Sequence, residues 1–408
     1  MRIALTSNGP GEFSGWVRPL VTALLRLEPH TDVTLFCVPD DYATGREPDV
    51  ARRLFPGVRV FGARDYVRFA LRRSVANVPA RVDVVQYLGG DLSHAARIRA
   101  RLGGRARTYK FARKRDAGKL DLAYAVDEKN VAQLARAGVA PERVALVGNL
   151  AIDGALAEAA GEFAASAADG AFAPGGVLIM PGSRRLEILH AFPFFVQMAV
   201  RLRAARTDLP IAFAVSPFTS EDELARSLAA GGHRNAWGAR GRVVPLGIGY
   251  GVQAESGGEA FPILRDAMRH APHARLAVTL PGTKCIELAA LGVPTVVCVP
   301  LNAPEIVVIN GPLQYLDRIP FAGVALKRAI VQNVDARFAF TAQPNIDLGE
   351  AVMPELRGTL MPGEVARRVA AYADDADARA AASARLRALY AGHAGAAERM
   401  ARSLLESA

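Results

Sequence analysis

Short runs of Val, Ile and Leu alternate with amphipathic segments along both halves of the chain. Such runs are typical of parallel strands that are buried on both faces, and the segments between them have helical spacing. The pattern predicts an α/β protein with two Rossmann-like doubly wound domains. The predicted strands are 3–6, 33–38, 58–61, 82–88, 122–126 and 144–147, then 177–180, 211–215, 243–246, 276–279 and 295–299. The predicted helices are 15–27, 64–74, 92–102 and 128–137, then 186–204, 221–229, 262–270 and 284–291.

An Ala- and Gly-rich stretch interrupts the alternation. It has little that would pack in a core, so we interpret it as a linker. The predicted organisation is an N-terminal domain over 1–153, a linker over 154–176, a second domain over 177–363 and a helical tail over 364–408. Two doubly wound domains facing each other would form a cleft at the carboxyl ends of their strands, where such sheets bind ligands.

Composition narrows the class of protein. The 408 residues are 51% apolar and 22% charged, which is typical of a folded globular chain. The three cysteines, Cys37, Cys285 and Cys298, are odd in number and lack CxxC spacing. They argue against a disulfide framework or a zinc site and favour a reducing compartment. We expect no signal peptide and no membrane span, and hence a cytoplasmic protein that is soluble or peripheral to a membrane.

The net charge of +10 lies in the first 150 residues, which contain 25 Lys and Arg against 15 Asp and Glu. Residues 97–119 hold ten basic residues and one acid. This density fits solvated helices, and it equally fits a surface for anionic lipids, phosphorylated substrates or nucleic acid. No nucleic-acid motif is visible, so no nucleic-acid partner is expected. In 64–75 the apolar residues Tyr66, Phe69, Leu71 and Val75 alternate with arginines, which fits either a lipid interface or core packing.

The first strand is followed by a loop that opens a helix. Gly9 and Gly11 would let the backbone approach a ligand, and Glu12 would add a carboxylate at the carboxyl edge of the sheet. Ser14 stands where the dinucleotide motif GxGxxG needs its third glycine, which disfavours a nicotinamide enzyme. A tight strand–helix turn without a ligand is the alternative.

Asp91 follows the fourth predicted strand after two glycines. At the carboxyl end of a parallel strand it would face the cleft, as a general base or as the cap of the next helix. His94, three residues later, is interpreted as a surface residue.

The second domain contains two strand–turn–helix segments that suit phosphate. Gly182, Ser183 and Arg184 begin a helix with two arginines in its first turn, which opposes the helix dipole unless an anion is bound there. Gly282 and Thr283 form a similar turn. Together the two turns predict a site for a nucleoside diphosphate, and no residue cluster has metal-ligand spacing.

Four segments resemble the lipid-A-disaccharide synthase family of two-domain GT-B glycosyltransferases. They are GPGEFSG at 9–15, PGSRRLEI at 181–188, PGTKCIELAALGVPTVV at 281–297 and QPN at 343–345. VGN at 147–149 is similar to the family's VGH segment. The chain departs from the family in its acceptor half, at Trp16, at 92–96 and in the basic segment 105–119.

The resemblance implies an inverting transferase that moves a sugar from a UDP-sugar, such as a UDP-acylglucosamine, to a lipid-linked or phosphorylated acceptor without a cofactor. Arg184 would hold the diphosphate, Glu287 the ribose, and Glu12 and Asp91 would act at the reacting groups. The last helix would cross back to the first domain. The enzyme would act in lipid A biosynthesis at an anionic membrane surface, and a homodimer is left open.

Two alternatives of other kinds remain. A sugar-nucleotide epimerase would use the same nucleotide site but would need no acceptor and no membrane. A relative of the transferases with a changed acceptor would keep the donor site alone.

Overall fold

The computed structural model describes residues 1–40, 43–166, 169–232, 236–301 and 338–406. The chain divides into two compact units. Unit 1 comprises Met1–Ala157 together with Gly392–Ala408, and unit 2 comprises Glu158–Ala391.

Unit 1 is built on a seven-stranded parallel sheet with the strand order β3-β2-β1-β4-β5-β6-β7. The strands are β1 Arg2–Ser7, β2 Asp32–Cys37, β3 Arg59–Phe61, β4 Val84–Tyr87, β5 Arg105–Tyr109, β6 Leu122–Ala125 and β7 Val144–Leu146. The central strands are buried along their length, because helices cover both faces of a parallel sheet.

The helices of unit 1 connect successive strands. They are α1 Pro10–Glu12, α2 Arg18–Leu27, α3 Glu47–Leu54, α4 Ala63–Ala70, α5 Leu92–Leu102, α6 Glu128–Arg136 and α7 Leu150–Ala159, with a π-helical turn at Phe13–Val17 between α1 and α2. Helix α7 extends through the first part of the predicted linker.

The C-terminal helix α15, Ala396–Leu405, belongs to unit 1 and packs on α2. The Asp153 carboxylate accepts hydrogen bonds from the N–H groups of Gly395, at 2.8 Å, and Ala397, at the start of this helix. A carboxylate at a helix N-terminus also interacts favourably with the helix dipole. Near the other end of the helix, Arg107 donates a hydrogen bond to the Ser403 carbonyl at 3.1 Å.

Unit 2 contains an eight-stranded sheet with the order β10-β11-β12-β9-β8-β13-β14-β15. The strands are β8 Val177–Met180, β9 Ile211–Ala214, β10 Gly241–Leu246, β11 Gly249–Ala254, β12 Phe261–Leu264, β13 Leu276–Thr279, β14 Thr295–Pro300 and β15 Glu355–Gly358. The β10–β11 and β11–β12 pairs are antiparallel, and the paired strands in the rest of the sheet are parallel.

The helices described in unit 2 are α8 Arg185–Ala205, α9 Glu221–Ala230, α10 Ala267–His270, α11 Thr283–Ala290, α12 Gln343–Leu348, α13 Pro362–Asp374 and α14 Ala376–Tyr390. Helix α13 packs on α8, and both contribute to a core that includes Phe192, Phe195 and Phe213. This core lies on one face of the sheet.

Strand β5 lies in the basic segment, where no strand was predicted. The sequence of this strand does not show the apolar pattern of a buried strand, because a charged residue, Arg107, takes a buried position while Arg105 is exposed. The Arg107 guanidinium donates a hydrogen bond to the Tyr124 hydroxyl, which makes its burial tolerable.

The helix predicted at 262–270 is wrong in its first part, because Phe261–Leu264 is strand β12. The prediction took Pro262 for a proline in the first turn of a helix. Three of the four residues of β12 are buried, which favours an extended segment between the neighbouring strands β11 and β9. The sequence pattern also missed β11 and β15, and it predicted the other strands within two or three residues of their bounds.

The predicted fold class is confirmed: the protein is α/β, with two sheets of the Rossmann-like, predominantly parallel type. The thiols of Cys37, Cys285 and Cys298 are free and buried, and burial raises the pKa of each to about 12. Among the residues described, none forms a helix that is both long and apolar enough to span a membrane.

Candidate functional site

Each sheet has one point at which its strand order reverses. In unit 1 the chain moves outward from β1 to β2 and β3, and then restarts at β4 on the other side of β1. In unit 2 the corresponding point lies between β8 and β13. Adjacent connections leave such strands in opposite directions and open a crevice at their carboxyl ends, which is where ligands bind open α/β sheets. All four turns that carry predicted site residues follow these strands.

The two turns of unit 2 repeat one sequence pattern. Residues 181–187 are PGSRRLE and residues 281–287 are PGTKCIE, so both read Pro-Gly-Ser/Thr-Arg/Lys-x-Leu/Ile-Glu. Strands β8 and β13 are neighbours, with Met180 paired to Thr279 at their carboxyl ends. The sheet therefore brings Gly182, Ser183 and Arg184 next to Gly282 and Thr283.

The first of these turns already contains an anion. The Glu187 carboxylate accepts hydrogen bonds from the N–H groups of Ser183 at 2.9 Å and Arg184 at 3.1 Å, and the Arg184 guanidinium lies 3.3 Å from it. Gly182 has a φ of +103°, and a Cβ there would lie 2.4 Å from a Glu187 oxygen. Glu187 therefore supplies a negative charge at this turn from within the chain, and binding of an external anion there stays a prediction.

The second turn carries the analogous ion pair. Lys284 forms a salt bridge with Glu287, whose side chain is only 5% exposed. The turn itself is open at Gly282, where an added Cβ would meet no described atom within 4 Å. Both turns thus present a cation three residues before a buried carboxylate. The predicted ribose ligand, Glu287, is close to the sheet edge but paired with Lys284.

In unit 1 the predicted glycine loop is shorter than expected. Helix α1 begins at Pro10, and the Phe13 N–H donates to the Gly9 carbonyl at 3.0 Å. Gly11 lies within α1 and Ser14 within the π-helical turn, so neither belongs to an open loop. Of the predicted glycine positions, Gly9 alone stays in the turn. This is a correction of the predicted role of Gly11 and Ser14.

The turn after β4 is rigid and close to the turn after β1. The Thr6 hydroxyl donates to the Gly89 carbonyl at 3.0 Å, and the Tyr87 hydroxyl donates to the Gly90 carbonyl at 2.7 Å. A Cβ at Gly89 would lie 2.2 Å from Asn8 Oδ1 and 3.3 Å from the Glu12 Cβ. Only glycine fits there, because both neighbours lie against its backbone.

Asp91 and Glu12 are brought to the same reversal point. Burial raises the pKa of Tyr87, and the negative charges of Glu12 and Asp91 raise it further, as expected of a hydroxyl among carboxylates. Both residues follow the carboxyl ends of neighbouring strands, β1 and β4, and their catalytic roles stay predictions.

The structure gives Asp91 a strongly acidic side chain. Burial raises the pKa of Asp91, but hydrogen bonds from Ser93, at 2.8 Å, and from Arg113 outweigh it and hold the pKa at about 2. A carboxylate with so low a pKa is a weak proton acceptor at neutral pH. The geometry therefore favours the cap of α5 over the general base, the alternative that the sequence had left open.

Two polar residues beside this turn were missed as site candidates. Asn8 is 6% exposed, and the His94 Nδ1 lies 2.7 Å from the Tyr66 hydroxyl. His94, interpreted from sequence as a surface residue, is half-buried, because one side of its ring contacts Tyr66. Sequence offers little signal for the pair with Tyr66, because 28 residues separate them.

Of the two interpretations of 64–75, lipid interface and core packing, the structure favours core packing for the aromatic residues. Tyr66 is 1% and Phe69 3% exposed, and both pack in the core of unit 1 around Phe36. Leu71 is 63% exposed at the end of the segment.

The described part of the chain holds no group of three or more His, Cys, Asp or Glu side chains placed to bind a metal ion.

Neither a protein-family model nor a curated protein matches the sequence. Solved structures match the fold over the full chain. The UDP co-structure of MnaA from S. aureus aligns with a TM-score of 0.60 at 12% identity, over 100% of this chain and 97% of that one. The UDP-GlcNAc 2-epimerase from Neisseria meningitidis, bound to UDP-GlcNAc, aligns at 0.52 and 9%. The enzyme of that name from Methanocaldococcus jannaschii, with UDP-GlcNAc and UDP, aligns at 0.50 and 13%. Both of these alignments cover 100% of each chain.

These matches overturn the prediction of a glycosyltransferase, because the fold is shared with proteins named UDP-GlcNAc 2-epimerases. The resemblance to lipid-A-disaccharide synthases is not supported at the level of the family, and neither a glycosyltransferase activity nor a role in lipid A biosynthesis is supported. At these identities the comparison establishes the fold. The chain therefore has the GT-B-like fold, built from two Rossmann-like units.

Proposed function

We propose that this protein is a sugar-nucleotide epimerase that inverts the C2 carbon of a UDP-N-acetylhexosamine. The observation that carries the proposal is the matched pair of turns at 181–187 and 281–287, side by side at the reversal point of unit 2. The shared fold with UDP-GlcNAc 2-epimerases agrees with it.

The two turns suit the two phosphoryl groups of a diphosphate. Each supplies a helix N-terminus, at α8 and α11, and a cation, Arg184 or Lys284. Backbone N–H groups at a helix start and a guanidinium are strong ligands for phosphate oxygens. In this proposal the diphosphate takes the N–H groups that Glu187 occupies, and Arg184 exchanges one anion for another.

Glu287 is proposed to bind the ribose. Its carboxylate is buried in α11, about one helical turn beyond Gly282. A carboxylate there accepts hydrogen bonds from a vicinal diol, and Lys284 moves from the carboxylate to the phosphate. The resemblance to the lipid-A-disaccharide synthases first implied this role. The position of Glu287, beyond the second of the two turns, is compatible with it.

The chemistry of inversion explains why the diphosphate needs this environment. No carbonyl group acidifies the C2–H bond of the sugar. When a base removes that proton, the electron pair forms a C1=C2 bond and the C1–O bond to UDP breaks. Return of a proton to the opposite face of C2, and of UDP to C1, completes the inversion with no net change of atoms. Cations and helix N-termini stabilise the departing diphosphate charge.

A carboxylate is proposed for the proton transfer. We assign the base to Glu12, at the start of the chain's first helical segment and beside Gly89. Asp91 is a positioning residue in this scheme, because its carboxylate caps α5 and binds Arg113. The assignment predicts loss of turnover in Glu12→Gln with binding of UDP retained.

The test is incubation of the protein with UDP-GlcNAc in D₂O, followed by proton NMR. The expected product is the C2 epimer, UDP-ManNAc, with deuterium at C2. UDP-glucose serves as the control substrate that lacks the acetamido group. Recovery of unlabelled UDP-GlcNAc after long incubation would refute the proposal.

Association with an anionic membrane surface stays a prediction. The exposed Leu71 follows α4 among arginines at 64, 68, 72 and 73, all exposed. Such a surface attracts anionic lipid without being needed for epimerisation. Co-sedimentation with vesicles of anionic and of neutral lipid tests it, and size measurement in solution tests the homodimer.

A further inference from the structure

Three buried polar atoms in the sheet of unit 1 have no hydrogen-bond partner among the described residues. They are the Ser7 hydroxyl, Gln86 Oε1 and Arg107 Nε, on strands β1, β4 and β5. Ser7 and Gln86 are 0% exposed and Arg107 is 4% exposed. A buried polar group without a partner costs about 1–3 kcal/mol, so three of them in neighbouring strands indicate a bound molecule that supplies the partners.

The strand register places the three side chains together. Gln86 is paired with Leu5 of β1 on one side and with Arg107 of β5 on the other. Paired residues of neighbouring strands point to the same face of the sheet, and so does Ser7, two residues beyond Leu5. Neighbouring strands lie about 5 Å apart, so one small molecule can contact side chains from both.

The Gln86 amide has a fixed orientation. Its Nε2 donates a hydrogen bond to the Tyr87 carbonyl at 2.8 Å, which leaves Oε1 as an acceptor. An exchange of the two amide atoms would place an oxygen against that carbonyl, so the amide does not flip. Arg107 offers the opposite chemistry, because its Nε–H group is a donor and a guanidinium has no acceptor.

The chemistry of these groups selects the ligand. A molecule between Gln86 and Arg107 has to donate one hydrogen bond and accept another. A cation would be repelled by Arg107, and an anion by Gln86 Oε1. Burial limits the ligand to the size of water, and internal waters typically form about three hydrogen bonds to buried polar groups. The third is available at the Ser7 hydroxyl, which can donate or accept.

Arg107 also contacts the C-terminal helix. Its Nη1 donates a hydrogen bond to the Ser403 carbonyl of α15 at 3.1 Å and another to the Tyr124 hydroxyl. The Tyr124 hydroxyl in turn donates to the Ser403 hydroxyl at 3.0 Å. The outer end of the guanidinium therefore serves α15, and the position of its inner end, Nε, affects how well it does so.

We propose that Gln86 Oε1, Arg107 Nε and the Ser7 hydroxyl hold an ordered internal water molecule, which fixes the Arg107 side chain for its contact with α15. The inference goes beyond the proposed function and does not depend on it. The water donates one hydrogen bond to Gln86 Oε1 and accepts one from the Arg107 Nε–H group. Gln86 is thus a positioning residue for the C-terminal helix, which it serves through the water and Arg107.

The first test is a crystal structure of the wild-type protein at a resolution that shows ordered waters. It should contain one water oxygen within about 3.2 Å of both Gln86 Oε1 and Arg107 Nε. Direct contact between these two atoms, or no density beside them in a well-ordered core, would refute the water site.

The second test measures the docking of α15 by amide hydrogen exchange. Gln86→Met keeps an unbranched side chain and removes the acceptor, so exchange at residues 400–405 should become about tenfold faster. Exchange in α3, on the far side of the sheet order from β5, should change less than about threefold. Gln133→Met, at an exposed glutamine of α6 in the same unit, is the matched control and should exchange as wild type does.

The outcomes separate the two parts of the inference. A bound water together with unchanged exchange of α15 in Gln86→Met would overturn the role in docking and leave the water site. Equal acceleration in α15 and α3 would assign Gln86 to the stability of unit 1 as a whole and would also overturn that role. If Gln86→Met does not fold, the wild-type crystal structure still tests the water site. Neither test uses enzymatic activity, so a negative epimerase assay leaves both results intact.

Discussion

Glu187 occupies N–H groups that the proposed function gives to a phosphate, so its replacement should tighten nucleotide binding. The substitution Glu187→Gln keeps the size of the side chain and removes its charge. Hydrogen bonds from N–H groups to a carboxylate contribute about 1.5–3 kcal/mol, and those to a neutral oxygen about 0.5–1.5 kcal/mol. Glu187 accepts two, from Ser183 and Arg184.

The difference between these ranges gives the expected magnitude. The ranges differ by about 1–1.5 kcal/mol per bond, and UDP must displace the side chain at 187 from two bonds. Binding of UDP should therefore become about 2–3 kcal/mol more favourable, which lowers its Kd about 30–150-fold. The same substitution should lower the free energy of unfolding by a similar amount, because the start of α8 loses a charged cap. Affinity and stability are expected to change in opposite directions.

Titration calorimetry with UDP and with inorganic pyrophosphate measures the first effect, and urea unfolding measures the second. Glu223→Gln is the matched control, since Glu223 closes a capping box with Ser220 at the start of α9, outside both predicted turns. It should lose stability and keep the Kd for UDP. An unchanged or weaker affinity for UDP in Glu187→Gln would refute the displacement argument.

Three further predictions concern stability. Asp153→Ala should cost about 2–3 kcal/mol, because it leaves two N–H groups at the start of α15 without their acceptor, and limited proteolysis should then release the C-terminal segment faster. Asp91 has a pKa of about 2 against an ordinary 3.8, so its contribution to the free energy of unfolding is present above about pH 4 and is lost as pH falls through 2. Because 37% of the side chain is exposed, we expect this contribution to be about 1 kcal/mol. It is measured as the difference in urea stability between wild type and Asp91→Asn, compared at pH 6 and at pH 2.5. Gly104→Ala should lower the free energy of unfolding by about 2–4 kcal/mol in the same urea assay, because φ is +87° and the new Cβ would lie 2.8 Å from the Val82 carbonyl and 2.9 Å from that of Asp83.

The turns of the candidate site were predictable from sequence because their signals are local. A Pro-Gly step after an apolar run marks the end of β8 and of β13, and a parallel sheet places such ends together. The position of Asp91 beside Glu12 follows from the same geometry.

What the turns contain was less predictable. Glu187 lies three residues after Arg184, which is the spacing of a capping box, but the arginines suggested an external anion instead. The contact of His94 with Tyr66 joins α5 to α4, and only the packing of the two helices decides it. Strand β5 was missed because the partner that makes buried Arg107 tolerable, Tyr124, lies on the next strand.

The placement of Gly392–Ala408 in unit 1 affects the order in which the protein matures. During synthesis from the N-terminus, every residue of unit 2 emerges before α15 is available to cover α2. Domains fold as units, and incomplete ones expose apolar surface. Unit 1 therefore keeps an uncovered helix, with its apolar surface exposed, until all of unit 2 has been made.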